Sequence, residues 1–181
     1  MGTRMHRLFA AIRPPQHIRA QLLAVMGGVS GARWQSDDQL HLTLRFIGEV
    51  EGHVAEDIAA ALASVHHPRF EIALSRIGSF KRRGQLEVLW AGVTSHDELK
   101  PLHKKVDQAC QRAGLRPEGR AYSPHITLAR LKRGAGSISS FVETSCGLES
   151  QPFAVDNFCL YESQLTPEGA VYTIVERYPL A

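Results

Sequence analysis

The side chains able to do chemistry come in two matched sets. Leu40-His41-Leu42-Thr43-Leu44-Arg45-Phe46 carries an imidazole and a hydroxyl two residues apart, and Pro124-His125-Ile126-Thr127-Leu128-Ala129-Arg130 repeats the arrangement. In a β-strand successive side chains point to opposite faces, so His41 and Thr43 share one face while Leu42 and Leu44 share the other. His125 and Thr127 stand likewise against Ile126 and Leu128. A single His-x-Thr arises easily by chance, and threonine is an ordinary strand former. Two copies, each embedded in alternating apolar residues, point to paired strands that present the same polar groups to one groove.

Two histidines on facing strands can serve a single displacement as general base and general acid. With ordinary pKa values near ~6.5, one can be neutral and the other protonated at physiological pH. Each threonine can hydrogen-bond a substrate oxygen, so the four groups can surround a phosphate, moving protons and stabilising charge. The reaction suggested is attack of water on a phosphodiester. No carboxylate sits at ligand spacing from His41 or His125, so neither a metal nor another cofactor is expected. Ser123 lacks the context of a nucleophilic serine. Cys110, Cys146 and Cys159 are odd in number, lack CxxC spacing, and read as small core hydrophobes in a reducing compartment. The remaining histidines read as surface or filler.

The elements that must position these groups follow from periodicity. Arg7 to Ile12 reads as a strand closed by Pro14-Pro15, after which Ile18, Leu22 and Val25 recur at helical spacing until Gly27-Gly28. A short strand near Arg33-Trp34 and a polar turn at Ser36-Asp37-Asp38 lead into the first His-x-Thr strand, which is expected to stop near Gly48. Val54, Ile58, Leu62 and Val65 mark a second helix ending before Pro68. Phe70 to Leu74 and Gln85 to Val93 read as a hairpin separated by a basic loop with Lys81, Arg82, Arg83 and Gly84. Leu99, Leu102, Val106 and Ala109 give a third helix ending at Gly114. Ile138 to Thr144 reads as a short helix. Phe153 to Leu165 and Ala170 to Tyr178 read as closing strands about the turn Thr166-Pro167-Glu168-Gly169. Strand, helix and His-x-Thr strand thus occur over residues 7–47 and again over 85–130. That repeat predicts one α+β domain over residues 1–181, built of two lobes facing across a groove.

Size and charge fit this reading. The chain has 181 residues, 44% of them hydrophobic, enough for a substantial core without a disulfide or metal staple. No apolar run approaches the ~20 residues that span a bilayer, and Leu8 to Ile12 is too short for a signal-peptide core, so the expected setting is cytoplasmic. A formal charge of +3 suits an anionic substrate without announcing a nucleic-acid binder. The clusters Lys81-Arg82-Arg83 and Arg130, Lys132, Arg133 suggest phosphate attraction near the cleft.

These residues resemble a known family. His41-Leu42-Thr43-Leu44 and His125-Ile126-Thr127-Leu128 are similar to the signature of the 2H phosphoesterase superfamily. More closely, the chain resembles the bacterial and archaeal RNA 2′,3′-cyclic phosphodiesterases, historically called 2′-5′ RNA ligases. The likeness extends through Arg7-Leu8-Phe9, the Trp34 approach to Leu40-His41, Phe46-Ile47-Gly48-Glu49, Val88 to Val93, Ser123 to Arg130, and Leu160 to Leu165 with Gly169 and Tyr172. It implies the bilobal 2H phosphoesterase (LigT-like) fold, with two similar lobes of antiparallel-rich sheet and helices outside a central groove.

The resemblance also implies hydrolysis of a terminal 2′,3′-cyclic phosphate of RNA to a 2′-phosphate, with reversible 2′-5′ ligation alongside. It makes His41 the proton donor and His125 the proton acceptor, aided by Thr43 and Thr127, with Leu44 and Leu128 ending the motifs. Arg130, Arg45 and Phe9 are the implied substrate contacts. Strict alternation, however, puts Arg130 on the Ile126 face, so it reaches phosphate only if the strand bends there. The sequence departs from the family pattern at Ala10, where a second aromatic often follows Phe9, and at Leu86-Glu87, where Pro-Arg is usual. The expected partner is RNA ending in a cyclic phosphate, tRNA fragments included, and the expected state a monomer away from membranes. The competing readings are a phosphodiesterase of small cyclic nucleotides and a non-catalytic RNA-end-binding protein on the same scaffold.

Overall fold

Two antiparallel strands open on His-x-Thr and meet at a single residue pair, and everything else is arranged about that seam. The computed structural model describes residues 2–181. In chain order its elements are β1 (Met5–Ile12), α1 (Gln16–Val25), β2 (Ala32–Trp34), a 3-10 turn (Asp37–Gln39), β3 (Leu42–Glu51), α2 (Gly52–Leu62), β4 (Phe70–Ile72), β5 (Leu74–Arg82), β6 (Gln85–Val93), α3 (His96–Arg112), β7 (Ile126–Leu131), α4 (Ser139–Ser145), β8 (Phe153–Val155), β9 (Asn157–Thr166) and β10 (Gly169–Pro179). The main sheet runs β10-β9-β1-β3-β7-β6-β5, with β2 also on β7, and β4-β8 form a separate pair. β3 and β7 pair only at Leu42↔Ile126. The sheet thus divides into two lobes at the point where the motifs begin. The expected repeat is present as β1-α1-β3 and β6-α3-β7, in a bilobal α+β arrangement.

The motif leucines face the helices as alternation demands. Leu42, Leu44, Ile126 and Leu128 join one core with Ile18 and Leu22 of α1, Ile58 and Leu62 of α2, and Leu99, Leu102 and Val106 of α3. Each fully buried aliphatic side chain contributes about 1.5–3 kcal/mol by leaving water, so this face fixes the register of both motif strands. Among the described residues no helix is long and apolar enough to cross a membrane. Cys110 and Cys159 are buried as expected, whereas Cys146, just past α4, is exposed.

Several strand assignments change. The hairpin partner of β6 is β5, not Phe70 to Leu74, and β4 instead pairs with β8 through Phe70↔Val155. Lys81 and Arg82 therefore lie on a strand, and the turn is Arg83-Gly84, with φ of 51° and 75°. Positive φ at both central residues matches the twist of a tight hairpin. The expected strand from Phe153 breaks at Asp156, because its first part leaves to cover β4. β3 also runs past Gly48 to Glu51.

Candidate active site

Each catalytic candidate sits one residue before its strand, and the same short-range bond holds both. His41 Nδ1 lies 2.7 Å from the Gln39 carbonyl oxygen, and His125 Nδ1 lies 2.7 Å from the Ser123 carbonyl oxygen. A carbonyl only accepts, so Nδ1 carries the hydrogen in each ring and Nε2 is left for the groove. The support behind Gln39 is dense. Its side chain accepts from the Ser36 amide at 3.0 Å and donates to the Ala170 carbonyl at 2.8 Å. Asp37 in the same turn accepts from Arg19 at 2.9 Å and pairs with Arg13 at 3.4 Å.

Aromatic rings back both imidazoles. The Phe9 ring centroid is 4.8 Å from that of His41 and stacks on Tyr161 at 4.9 Å, while Tyr172 meets His41 edge-on at 5.3 Å. On the other lobe Phe80 meets His125 edge-on at 4.8 Å, with Trp90 behind it at 6.3 Å. Gly78 lets Trp90 lie there, since a Cβ at Gly78 would come within 2.1 Å of the indole. Phe9, expected as a substrate contact, is 4% exposed. It lines the groove all the same, and its ring packs against His41 and Tyr161.

The strands do not keep strict alternation, and the break is the same in both. Between β1 and β3 the register passes from Ala10↔Arg45 to Ala11↔Thr43, skipping Leu44. Between β6 and β7 it passes from Leu89↔Ala129 to Trp90↔Thr127, skipping Leu128. A bulge at the fourth motif residue turns the next two positions over. Arg45 and Ala129 consequently face inward, and Phe46 and Arg130 come round to the groove.

This resolves Arg130, which lines the groove beside His125 and Thr127. It corrects Arg45, which is not available to substrate. Its Nε donates to Asp107 of α3 at 2.6 Å, and its other nitrogens donate to the Phe46 and Arg116 carbonyls. Burial pushes the Asp107 carboxyl up, but its hydrogen bonds from Arg45, the Glu118 amide and Gln111 outweigh that and hold it below the usual range. Asp107→Ala strands a buried guanidinium, so chemical denaturation should show a loss of about 3–5 kcal/mol, with kcat of the folded protein little changed.

The groove they line has a volume of about 650 Å³ and brings together His41, Thr43, His125, Thr127 and Arg130. Phe46, Phe80, Arg7, Arg120, Leu165 and Tyr172 line it too. None of those six was singled out as a site residue from sequence, although Arg7, Phe46, Leu165 and Tyr172 stand within the family likeness. Lys81, Leu131 and Lys132 border a neighbouring cleft. Among the described residues no three His, Cys, Asp or Glu side chains converge as a metal site.

Burial, the largest cause, pulls the His41 pKa from 6.5 to about 4, with Arg130 and His125 adding to it and the Gln39 carbonyl opposing. Burial also lowers His125, helped by Arg130 and opposed by the Ser123 carbonyl. In the free protein at physiological pH both rings are thus neutral, where the sequence led us to expect one of them charged.

Two imidazoles and two hydroxyls, related by an internal repeat and disposed about one groove, define a 2H phosphoesterase site. Comparison with known proteins narrows the class. A family model for the 2′-5′ RNA ligase superfamily matches residues 10–166. A protein of Aeropyrum pernix named RNA 2′,3′-cyclic phosphodiesterase is 35% identical over 75% of this chain and 79% of its own. One of the same name from Archaeoglobus fulgidus is 31% identical over 92% and 96%. The crystal structure of Escherichia coli LigT complexed with 3′-AMP superposes with a TM-score of 0.80 at 27% identity, over 98% of this chain and 99% of that one. TT0787 of Thermus thermophilus gives 0.82 at 27% identity, over 96% and 97%. The chain belongs to the 2′-5′ RNA ligase superfamily.

Proposed function

We propose that this protein hydrolyses the terminal 2′,3′-cyclic phosphate of RNA to a 2′-phosphomonoester, by general acid–base catalysis from two histidines without a metal. The observation that carries the reading is the matched pair of imidazoles, each with Nδ1 tied to a backbone carbonyl and Nε2 left for one groove. The activity for which the two archaeal relatives are named supports it.

In the reaction a water oxygen bonds to phosphorus as the bond from phosphorus to O3′ breaks. His125 Nε2, neutral and carrying its lone pair, takes the proton of the attacking water. His41, protonated at Nε2, gives its proton to O3′. The proton gained at His125 and the proton lost at His41 balance, and solvent restores both rings. Thr43 and Thr127 donate to the phosphoryl oxygens, whose charge Arg130 offsets.

The test is product analysis on an oligoribonucleotide ending in a 2′,3′-cyclic phosphate, with and without EDTA. A 2′-phosphate product at unchanged rate under chelation is expected. A purely 3′-phosphate product, no turnover, or activity lost to EDTA and restored by Mn²⁺ would each overturn the reading.

The hydroxyls carry a further expectation. Thr43→Val and Thr127→Val keep the β-branched shape, so folding should survive. A hydrogen bond to a charged group is worth about 1.5–3 kcal/mol, so kcat/KM should fall by roughly ten- to 150-fold in each. Normal turnover by both variants would reduce the threonines to strand formers.

A further inference from the structure

The two motif strands are alike in sequence but are not held alike. β7 runs on past Ile126 between β6 and β2, and the Leu128 carbonyl at its bulge accepts from the Gln35 backbone amide at 2.8 Å. β3 keeps β1 on one side; on the other it leaves β7 after Leu42↔Ile126, and side chains take the place of a strand. The Leu44 carbonyl, counterpart of that of Leu128, accepts from His103 Nδ1 at 2.6 Å. The Thr43 carbonyl accepts from the Tyr122 hydroxyl at 3.0 Å. The two donor rings lie parallel with centroids 4.1 Å apart, so each holds the other in place. His103 reads from sequence as surface or filler, yet it stands on α3 one turn from the buried Leu99 and Val106 and secures the first bulge.

Tyr122 reaches Thr43 from the approach to the other motif. It lies three residues before His125 and next to Ser123, whose carbonyl holds the His125 ring. One hydrogen bond therefore runs from the segment that carries His125 into the backbone that carries His41 and Thr43, close to the pair Leu42↔Ile126 where the strands meet. The start of the same segment is tied down as well, at Arg116 by Arg45 and at Glu118 by Asp107. Burial raises the pKa of the Tyr122 phenol, so the hydroxyl keeps its proton and stays a donor.

We infer that Tyr122, seconded by His103, is a positioning residue: it braces the Thr43-Leu44 backbone of one motif against the segment carrying the other, and so sets the spacing of the two imidazoles. This rests on the two-histidine reading proposed above and adds what keeps the pair aligned. Both side chains act through main-chain carbonyls. Acid and base must meet the same phosphodiester at once, and a misplacement of about 1 Å between reacting groups can cost on the order of 10² in rate. A sheet would supply that precision if the motif strands paired along their length. Here they diverge after one pair, and the brace spans the divergence.

The experiment measures kcat and KM on an oligoribonucleotide ending in a 2′,3′-cyclic phosphate, for the intact protein, Y122F, H103F, H41A and the two double variants Y122F/H41A and H103F/H41A. Y122F keeps the ring against His103 and removes only the hydroxyl, so its melting should stay cooperative. Its kcat should fall by roughly ten- to 100-fold, with KM moving much less. H103F keeps the stack, frees the Leu44 carbonyl and should lower kcat in the same way. In the H41A background neither change should cost anything further, because a brace that aligns two rings has nothing to align once one is gone. A residue that merely supports the fold would lower activity by the same factor in both backgrounds. Such equal factors, an unchanged kcat in Y122F, or a loss carried by KM alone would overturn the inference. Should Y122F not fold, H103F and H103F/H41A make the same comparison, and failure of both to fold would show supports of the fold and overturn it too. Undiminished turnover by H41A would instead strike the two-histidine reading itself.

Discussion

His41→Ala and His125→Ala should each lower kcat on a cyclic-phosphate RNA by about 10²–10⁴, the usual scale for a lost general acid or base. Each change removes a ring whose nitrogen toward the fold bonds only to a carbonyl two residues away. The strand leucines beside it stay in the core, so unfolding should remain cooperative. The double variant should lose far less than the product of the single losses, because the two rings act in one displacement and removing one leaves little for the other to assist. KM should move little, since the phosphate contacts proposed for Thr43, Thr127 and Arg130 stay in place. Stopped product analysis on purified, folded variants measures this. Near-normal kcat in either single variant would remove that histidine from the chemistry.

Much of this site was legible because two periodicities carry it. Alternation placed His41 and Thr43 opposite Leu42 and Leu44, and the same pattern at His125 gave the repeat and hence two lobes. What alternation could not show is where it stops. The bulges at Leu44 and Leu128 leave only a faint trace, an inward pair Leu44-Arg45 and its counterpart Leu128-Ala129. In the first pair the inward residue is an arginine, which reads as exposed until Asp107, far along the chain on α3, is brought against it. Arg45 was therefore expected at the substrate, Arg130 was expected away from it unless the strand bent, and Phe46 went unnoticed as a groove residue. The β4–β8 pair was hidden for a similar reason. Phe70 and Val155 are distant in sequence, whereas Gln85 to Val93 lies close enough to suggest the wrong hairpin. The pKa values depend on packing that no local pattern records: Phe9, Tyr172 and Phe80 arrive from other strands to bury the imidazoles.

That burial gives the second large effect, on the pH profile. The proposed mechanism needs one proton shared between His41 and His125, and kcat/KM reports the ionisation of the free enzyme. Both folded pKa values lie below 6.5, that of His41 at about 4. The singly protonated state therefore peaks on the acid side of 6.5. Above the upper limb kcat/KM should fall about tenfold per pH unit. The two limbs belong to the pair and not to either ring.

Burial lowers both rings, whereas the proposed mechanism uses the state with the proton on His41. An anionic phosphodiester between the rings favours the charged imidazole, so in the complex the alkaline limb of kcat should lie at higher pH than that of kcat/KM. Arg130→Gln removes a positive charge that lowers both rings, so it should move the alkaline limb upward even as it raises KM. Proton NMR titration of the two imidazoles, with and without inorganic phosphate, follows the same shifts in the absence of turnover. An alkaline limb of kcat/KM above 7 in the unaltered protein, or one that Arg130→Gln leaves in place, would mean that the charge on these rings is not set by burial and Arg130.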